Sequence, residues 1–441
     1  MPLSPDVFAR RRRQFMEVIG GGGAAVVPAA PESIRSNDVE YRYRQHSDFY
    51  YLTGFPEPGA VCVLLPGHPK EEYVLFVRPR DQERETWTGR RAGVEGATAE
   101  YGAAAAYPVE KLDEKIPEYL VERERVYYAV ERDQNFTDRV LRWLQQVQSS
   151  RPRTGTGPTA LLDPRVIVHE MRLRKAPEEL ECLRRAVAIT ADAHAAAMRD
   201  ARPGRSEHEI EALIEYHFRR AGAAGPAYPS IVASGANATI LHYTTNDRAM
   251  QAGEVLLIDA GAEYENYCAD VTRTLPAGER FEGRVRALYE LVLRAQLAAI
   301  EVIRPGARID EVHQRALAML VDGLLGLGVL QGSAAEIVEK ELYKPFYMHR
   351  TSHWLGMDVH DVGLYKVSGE SRQLEPGMVL TVEPGVYIGE HLTEVGSEWR
   401  GLGVRIEDDV LVTADGHEVL SATIPKRIED IEAIRREALR A

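Results

Sequence analysis

At 441 residues, with 44% apolar and 27% charged side chains, the chain is long enough for two or three domains with sizeable cores and too apolar to be mostly disordered. A formal charge of −13 and a pI near 5.6 argue against a nucleic-acid binder, which would carry a basic face. Three widely separated cysteines, Cys62, Cys182 and Cys268, form neither a disulfide framework nor a paired metal knuckle, which favours a reducing, cytoplasmic compartment.

In chain order, Arg10 to Arg13 read as a solvated face of a first helix, and the following "QFMEVIGGGG" breaks off too early for a signal-peptide core or a membrane span. Short β-type runs bounded by Gly and Pro come next at "GAAVVPAAP", "AVCVLLPG", "EEYVLFVRP" and "RVYYAVE", with polar helical stretches between them. They predict a compact α/β domain. The Gly, Pro, Ser and Thr content of "SSRPRTGTGPTALLDP" (149–164) predicts a linker or loop at its end, with the boundary near residue 172.

Beyond it the texture changes. "APEELECLRRAVAITADAHAAAMRDARPG" sets Leu180, Leu183, Val187, Ala191, Ala195 and Met198 at three- and four-residue steps, one apolar stripe on a helix that stops at Arg202-Pro203-Gly204. Ser206 and Glu209, in capping-box spacing, start a second helix with Ile210, Leu213, Ile214 and Phe218 along one face. The same grammar returns further on: "RVRALYELVLRAQLAAIEVI" is helical, halts at Arg304-Pro305-Gly306, and "RIDEVHQRALAML" begins another helix. The strands echo as well, since Gly253 to Gly261 and Gly377 to Gly385 each carry an acid at the seventh position, Asp259 and Glu383. Residues 173–441 are therefore expected to form a duplicated helix-helix-sheet α+β domain behind a smaller N-terminal α/β domain, 1–172. Two such copies about a pseudo-twofold axis would aim their acids at a shared centre.

In "GEVLLIDAGAEYENYCADVTRT" the strand Val255 to Ile258 enters, "AEYEN" turns, and "YCADVTRT" returns, so that Asp259 and Asp270 fall on one face. Two unpaired carboxylates in an apolar cleft repel unless a cation joins them. "HRTSHWLGMDVHDVG" (349–363), Glu383 and "GVRIEDDV" with Glu407 bring the set to four carboxylates with several histidines. Four carboxylates and one imidazole are enough to hold two divalent ions, and oxygen-rich ligands favour manganese- or cobalt-like ions over a thiolate zinc site. Water between such ions becomes hydroxide near neutral pH. Spacing leaves open which histidine binds metal. His349 and His353 stand at zinc-protease helix spacing, but Arg350 occupies the place of that motif's glutamate. His242, in "TILHYTTND", and His360 suit donation to an oxyanion.

These blocks, together with "LEPGMVLTVEPGVYI" and the N-terminal "EYRYRQHSDFYYLTGFPEPGAV", resemble the pita-bread metallopeptidases of the creatinase and aminopeptidase type, most closely the Xaa-Pro aminopeptidases, over nearly the whole chain. The resemblance implies a pita-bread catalytic domain with a creatinase-N-like domain before it. It implies hydrolysis of the bond between an N-terminal residue and a following proline by a metal-bridging hydroxide. By the same resemblance Asp259, Asp270, His353, Glu383 and Glu407 match the metal ligands, Asp270 and Glu407 bridging. Two ions per chain are expected, manganese first, with cobalt or zinc as alternatives. His242 and His360 match residues that contact the substrate or its tetrahedral intermediate, Glu383 also a proton handler, Arg405 and Tyr387 site residues, and His349 a residue lining the cleft. Trp87 resembles a tryptophan that reaches a neighbouring subunit's site, so a homodimer or homotetramer is implied. Arg350-Thr351 departs from the family's small and apolar pair and adds a cation at the rim. Prolidase is the nearest alternative and a non-catalytic binding module of this fold a remote one; no nucleic-acid or membrane partner is expected.

Overall fold

The computed structural model describes residues 3–130 and 133–440. Two compact units divide the chain, residues 1–172 and 173–441.

In the N-terminal unit the four β-type runs become the strands Gly23–Pro28, Val61–Leu64, Tyr73–Val77 and Arg125–Tyr127 of a six-stranded sheet. The two remaining strands, Ala105–Pro108 and Ala160–Leu162, add parallel at opposite edges of that sheet. The second of them corrects the expected linker over 149–164. Helix Gln134–Thr154 runs through Pro152 in its last turn, and "ALL" then pairs with Arg125–Tyr127. A strand of three residues is too short to carry a period that a sequence could display.

The arginine run is corrected too. In helix Pro5–Ile19, Arg11 and Arg12 are buried: Arg11 lies 3.9 Å over the Tyr51 ring, and Arg12 lies 3.8 Å over Tyr73 and donates to the Leu52 carbonyl at 2.9 Å. Their stems pack while the guanidinium planes stack on aromatic faces, which a charge count cannot foresee.

The C-terminal unit repeats one motif. Helices Pro177–Asp200 and Glu207–Arg220 precede a sheet of Ile231–Ser234, Val255–Asp259 and Thr272–Pro276, while helices Gly283–Ile300 and Ile309–Gly326 precede a sheet of Val379–Val382, Asp408–Val412 and His417–Val419. The capping box forms, with the Ser206 N–H donating to Glu209 Oε2 at 2.9 Å. One flank differs between the copies: where the strand Ile231–Ser234 runs antiparallel to Val255–Asp259, the second copy has an irregular segment that meets Val379–Val382 at the isolated bridge between Trp354 and Leu380 and through a few main-chain hydrogen bonds.

The first helix of this unit buries a face shifted from the expected stripe. Leu183, Val187 and Met198 are buried as expected, but Leu180, Ala191 and Ala195 are only half-buried, and Thr190 and His194 face the core instead. Each polar side chain makes a hydrogen bond there: the Thr190 hydroxyl accepts from the Ala262 N–H at 3.0 Å, and His194 Nε2 lies 3.0 Å from the Ala260 carbonyl oxygen, while His194 Nδ1 is buried with no hydrogen-bond partner among the described residues. A buried polar group is tolerated when it is hydrogen-bonded. Here those bonds clamp the backbone on either side of Gly261, directly after Asp259. No glycine substitute fits in that turn, because a Cβ on residue 261 would sit 1.7 Å from the Ala269 carbonyl oxygen.

Candidate metal centre and active site

Five chain segments converge on one cavity. Asp259 ends the strand Val255–Asp259, paired with Ile231 on one side and Thr272 on the other. The return strand begins at Thr272, which leaves Asp270 in the approach to it, its N–H donating to Asp409 Oδ2 at 3.2 Å. Glu383 follows the strand Val379–Val382, and Glu407 lies between the strands Leu402–Arg405 and Asp408–Val412. The Glu407 N–H donates to the Thr272 carbonyl at 3.1 Å, which stitches the two copies together. His353 comes from an irregular segment, not a helix, so the zinc-protease spacing has no structural counterpart. That segment runs beside Val379–Val382, with the Thr381 N–H on the His353 carbonyl at 3.0 Å and the Glu383 N–H on the Thr351 carbonyl at 2.8 Å.

The geometry draws three of the five proposed ligands tightest. Asp270, His353 and Glu407 each offer one ligand atom, all within 4.8 Å of one another. The other two adjoin them. Asp259 shares the Tyr228 hydroxyl with Asp270, at 2.6 and 2.5 Å, and Glu383 Oε1 lies 3.7 Å from His353 Nε2. The cavity that holds them has a volume of about 1090 Å³.

Electrostatics mark these groups as a set. Burial, and then the neighbouring carboxylates, push Glu407 well above the ordinary carboxylate range. Burial likewise raises Asp259, against the lowering effect of Arg405, and lifts Glu383 to about 8 against His353. His353 moves the other way: burial alone would lower it, but the Asp270 and Glu383 carboxylates carry it up to about 9. The cause is one shortage. Among the described residues Arg405 is the only arginine or lysine bonded to any of the four carboxylates, at 2.6 Å from Asp259. Bound divalent cations would relieve that shortage.

The donor chemistry fits such cations. His353 Nδ1 lies 3.0 Å from the Trp354 carbonyl oxygen, so this nitrogen carries a proton and donates, and Nε2, turned toward the carboxylates, is the nitrogen that would bind a cation once its own proton is displaced. Oxygen-rich sets with one imidazole suit hard or borderline divalent ions. All three cysteines are buried and free, and none is in the cavity wall.

The remaining expected residues divide. His242, His360, His349, Tyr387 and Arg405 all line the cavity. His360 packs its ring against His353 at 4.3 Å between centroids, and His349 Nε2 lies 2.8 Å from the Tyr387 hydroxyl, which accepts from Arg405 at 3.1 Å. Burial, then the Arg405 charge, lower His349 to about 4. Trp87 belongs to the N-terminal unit, on helix Gln82–Thr88, and is 84% exposed.

Sequence reasoning passed over Tyr228, Thr272 and Asp409. The Thr272 hydroxyl donates to Glu407 Oε2 at 2.6 Å and accepts from Arg405 Nε at 3.1 Å, and buried Asp409 holds the Asp270 main chain. Each partner is 31 or more residues away from its acid in at least one of these bonds, and no spacing rule reaches that far. The neighbouring "EDD" of "GVRIEDDV" was a signal for Asp409, since three consecutive acids at a strand start cannot all face water.

Known proteins place the chain. Residues 181–414 match metallopeptidase family M24, and residues 8–127 match the aminopeptidase P N-terminal domain. The Escherichia coli K12 Xaa-Pro aminopeptidase is 44% identical over 98% of both chains, and human Xaa-Pro aminopeptidase 3 is 34% identical over 98% of this chain and 86% of its own. The Pseudomonas aeruginosa aminopeptidase PepP structure superposes with a TM-score of 0.97 at 48% identity over all of both chains. Escherichia coli aminopeptidase P in complex with substrate does so at 0.96 and 43%, again over all of both chains. With its duplicated pita-bread domain and its buried Asp/His/Glu cluster, the chain belongs to metallopeptidase family M24, in the Xaa-Pro aminopeptidase branch of metallo-aminopeptidases.

Proposed function

We propose that this protein removes the N-terminal residue from peptides with proline at the second position, using two divalent ions, manganese in the first place, held by Asp259, Asp270, His353, Glu383 and Glu407. The convergence of Asp270, His353 and Glu407 within 4.8 Å carries this reading, because an imidazole whose other nitrogen is tied to a carbonyl is presented as a ligand beside two buried acids. When bound, such ions lower the pKa of water and polarise a carbonyl.

The chain's own residues supply the rest. The acidic floor attracts the free amine of a peptide, which orients the first residue inward. A bond to proline offers no N–H, so its recognition rests on shape and on the carbonyl. His242 and His360 donate to the developing oxyanion, each with an effect of about two orders of magnitude on kcat. Glu383 takes the proton of the attacking water and returns it to the leaving proline nitrogen. Arg405 and Tyr387 hold the Asp259 side of the cleft, and His349 closes its wall.

A homodimer or homotetramer, with the N-terminal unit used for subunit contacts and for limiting substrate size, belongs to the same reading and is supported by the exposed Trp87 ring. A cytoplasmic location is supported by three buried free cysteines. No helix among the described residues is long and apolar enough to cross a membrane.

The test is hydrolysis of Arg-Pro-Pro, loss of activity with chelator, recovery with manganese, and metal content by mass spectrometry. Release of arginine together with two ions per chain is expected. Cleavage confined to Xaa-Pro dipeptides would turn the assignment to prolidase, and no release from a metal-loaded sample would remove it.

A further inference from the structure

One wall of the cavity takes no part in that chemistry. There helix Ile309–Gly326 meets residues 350 and 351 through two side-by-side contacts, Arg350 on Asp310 and Thr351 on His313, and all but Thr351 of these four line the cavity. The Thr351 main-chain N–H lies 3.2 Å from His313 Nδ1, and its hydroxyl lies 2.9 Å from the same nitrogen. A main-chain N–H can only donate, so Nδ1 accepts and the ring proton resides on Nε2. The Tyr347 hydroxyl, 2.5 Å from that of Thr351, completes a buried chain that fixes the imidazole. Burial, then the Arg350 charge, lower His313 to about 4, which keeps the ring neutral. Nε2–H therefore stands as a fixed donor, and it has no hydrogen-bond partner among the described residues.

Two cations flank it. The Arg350 side chain is 62% exposed and engages Asp310 through one nitrogen, which leaves other guanidinium donors open. Lys366 also lines the cavity, in a hairpin opposite Ser371, whose hydroxyl accepts the Asp310 N–H at 3.1 Å. Through Asp310 the hairpin, the helix and Arg350 form one continuous rim. Its charge is the reverse of the floor's: two cations and one acid at the rim, four carboxylates below.

A peptide with its amine on that floor extends its later residues outward, and an anion there is repelled by the floor and met by donors at the rim. We propose that His313, Arg350 and Lys366 form a subsite for a carboxylate on the C-terminal side of the substrate's proline, so that this chain prefers peptides whose remainder is anionic. The preference rests on the peptidase function above. The carboxylate is that of an acidic side chain or of the peptide's own C-terminus.

The test compares kcat/KM of the manganese-loaded enzyme for Ala-Pro-Glu-NH2, Ala-Pro-Gln-NH2 and Ala-Pro-Gln with a free C-terminus. At least one anionic peptide is expected to exceed the neutral amide by about tenfold at low salt, an advantage that shrinks as salt screens it. Whether the side-chain or the terminal acid gains identifies the source. Arg350→Gln and Lys366→Gln, both at exposed positions, are each expected to bring the ratio toward one. Equal rates for the three peptides, or a ratio unchanged in both variants, overturns the subsite. If the wild-type enzyme cleaves none of them, the peptidase reading fails separately. Calorimetric titration with Pro-Glu against Pro-Gln-NH2 then decides the subsite, which stands if the anion binds tighter and falls if the two bind equally.

Discussion

Arg405 and Asp259 form a buried ion pair at 2.6 Å across 146 residues of sequence, and the same guanidinium reaches the Thr272 and Tyr387 hydroxyls. A planar fork that serves three partners at once has no lysine equivalent. Arg405→Ala is expected to lower folding stability by about 3 kcal/mol, because the Asp259 carboxylate stays buried without its cation. Arg405→Lys should restore less than half of that loss. Urea unfolding of the metal-free protein measures both, and full recovery with lysine would show that charge alone matters.

Tyr228 ties Asp259 to Asp270 through one hydroxyl. Tyr228→Phe keeps the ring and removes the hydroxyl that ties the two acids to each other. Outer partners of metal ligands are worth about 10- to 100-fold in metal affinity. A manganese titration against a competing chelator should show weakening of that order, with the unfolding midpoint of the metal-free protein little changed. Unaltered affinity would mean that the hydroxyl does not position the acids.

The clustered carboxylates make the fold itself responsive to cations. At a hundredfold excess over its dissociation constant, an ion that binds only the folded state stabilises it by about 2.7 kcal/mol. Scanning calorimetry should therefore show a higher melting temperature with manganese than with chelator. In Asp270→Ala the difference should shrink. Identical melting curves with and without metal would contradict binding at this centre.

In the N-terminal unit, burial alone would raise the Asp48 carboxyl, but the His169 hydrogen bond and the Arg172 charge, with Arg172 Nη1 at 2.6 Å, hold it well below its usual value of 3.8. A depressed folded-state pKa gives stability that is complete above the unfolded value and is lost as pH falls toward the folded one. Unfolding free energy should thus fall from about pH 4 downward, and the slope below about pH 4 should be shallower in Asp48→Asn. Equal slopes in the two proteins would remove Asp48 as the source.

Local chemistry was legible wherever neighbours in sequence decide the outcome. The Ser206 and Glu209 capping box, the stops at Pro203-Gly204 and Pro305-Gly306, and the acids at the ends of two matching strands all act within a few residues, so their signals stand in the chain itself. The buried Arg11 and Arg12, the strand Ala160–Leu162, and the core-facing Thr190 and His194 were not legible, since each depends on what packs against it from a distance.

By itself, the order of residues determined the duplicated unit and the identity of the acids and histidines available to a metal centre, because period, capping and strand-end position are one-dimensional properties. Only the tertiary structure decided which of them meet. It drew Asp270, His353 and Glu407 within 4.8 Å, set Tyr228 between two acids, and turned the His313 proton toward Nε2. Hydrogen bonds and charge pairs act over a few ångström of space whatever the distance along the chain, and folding alone brings such partners into range.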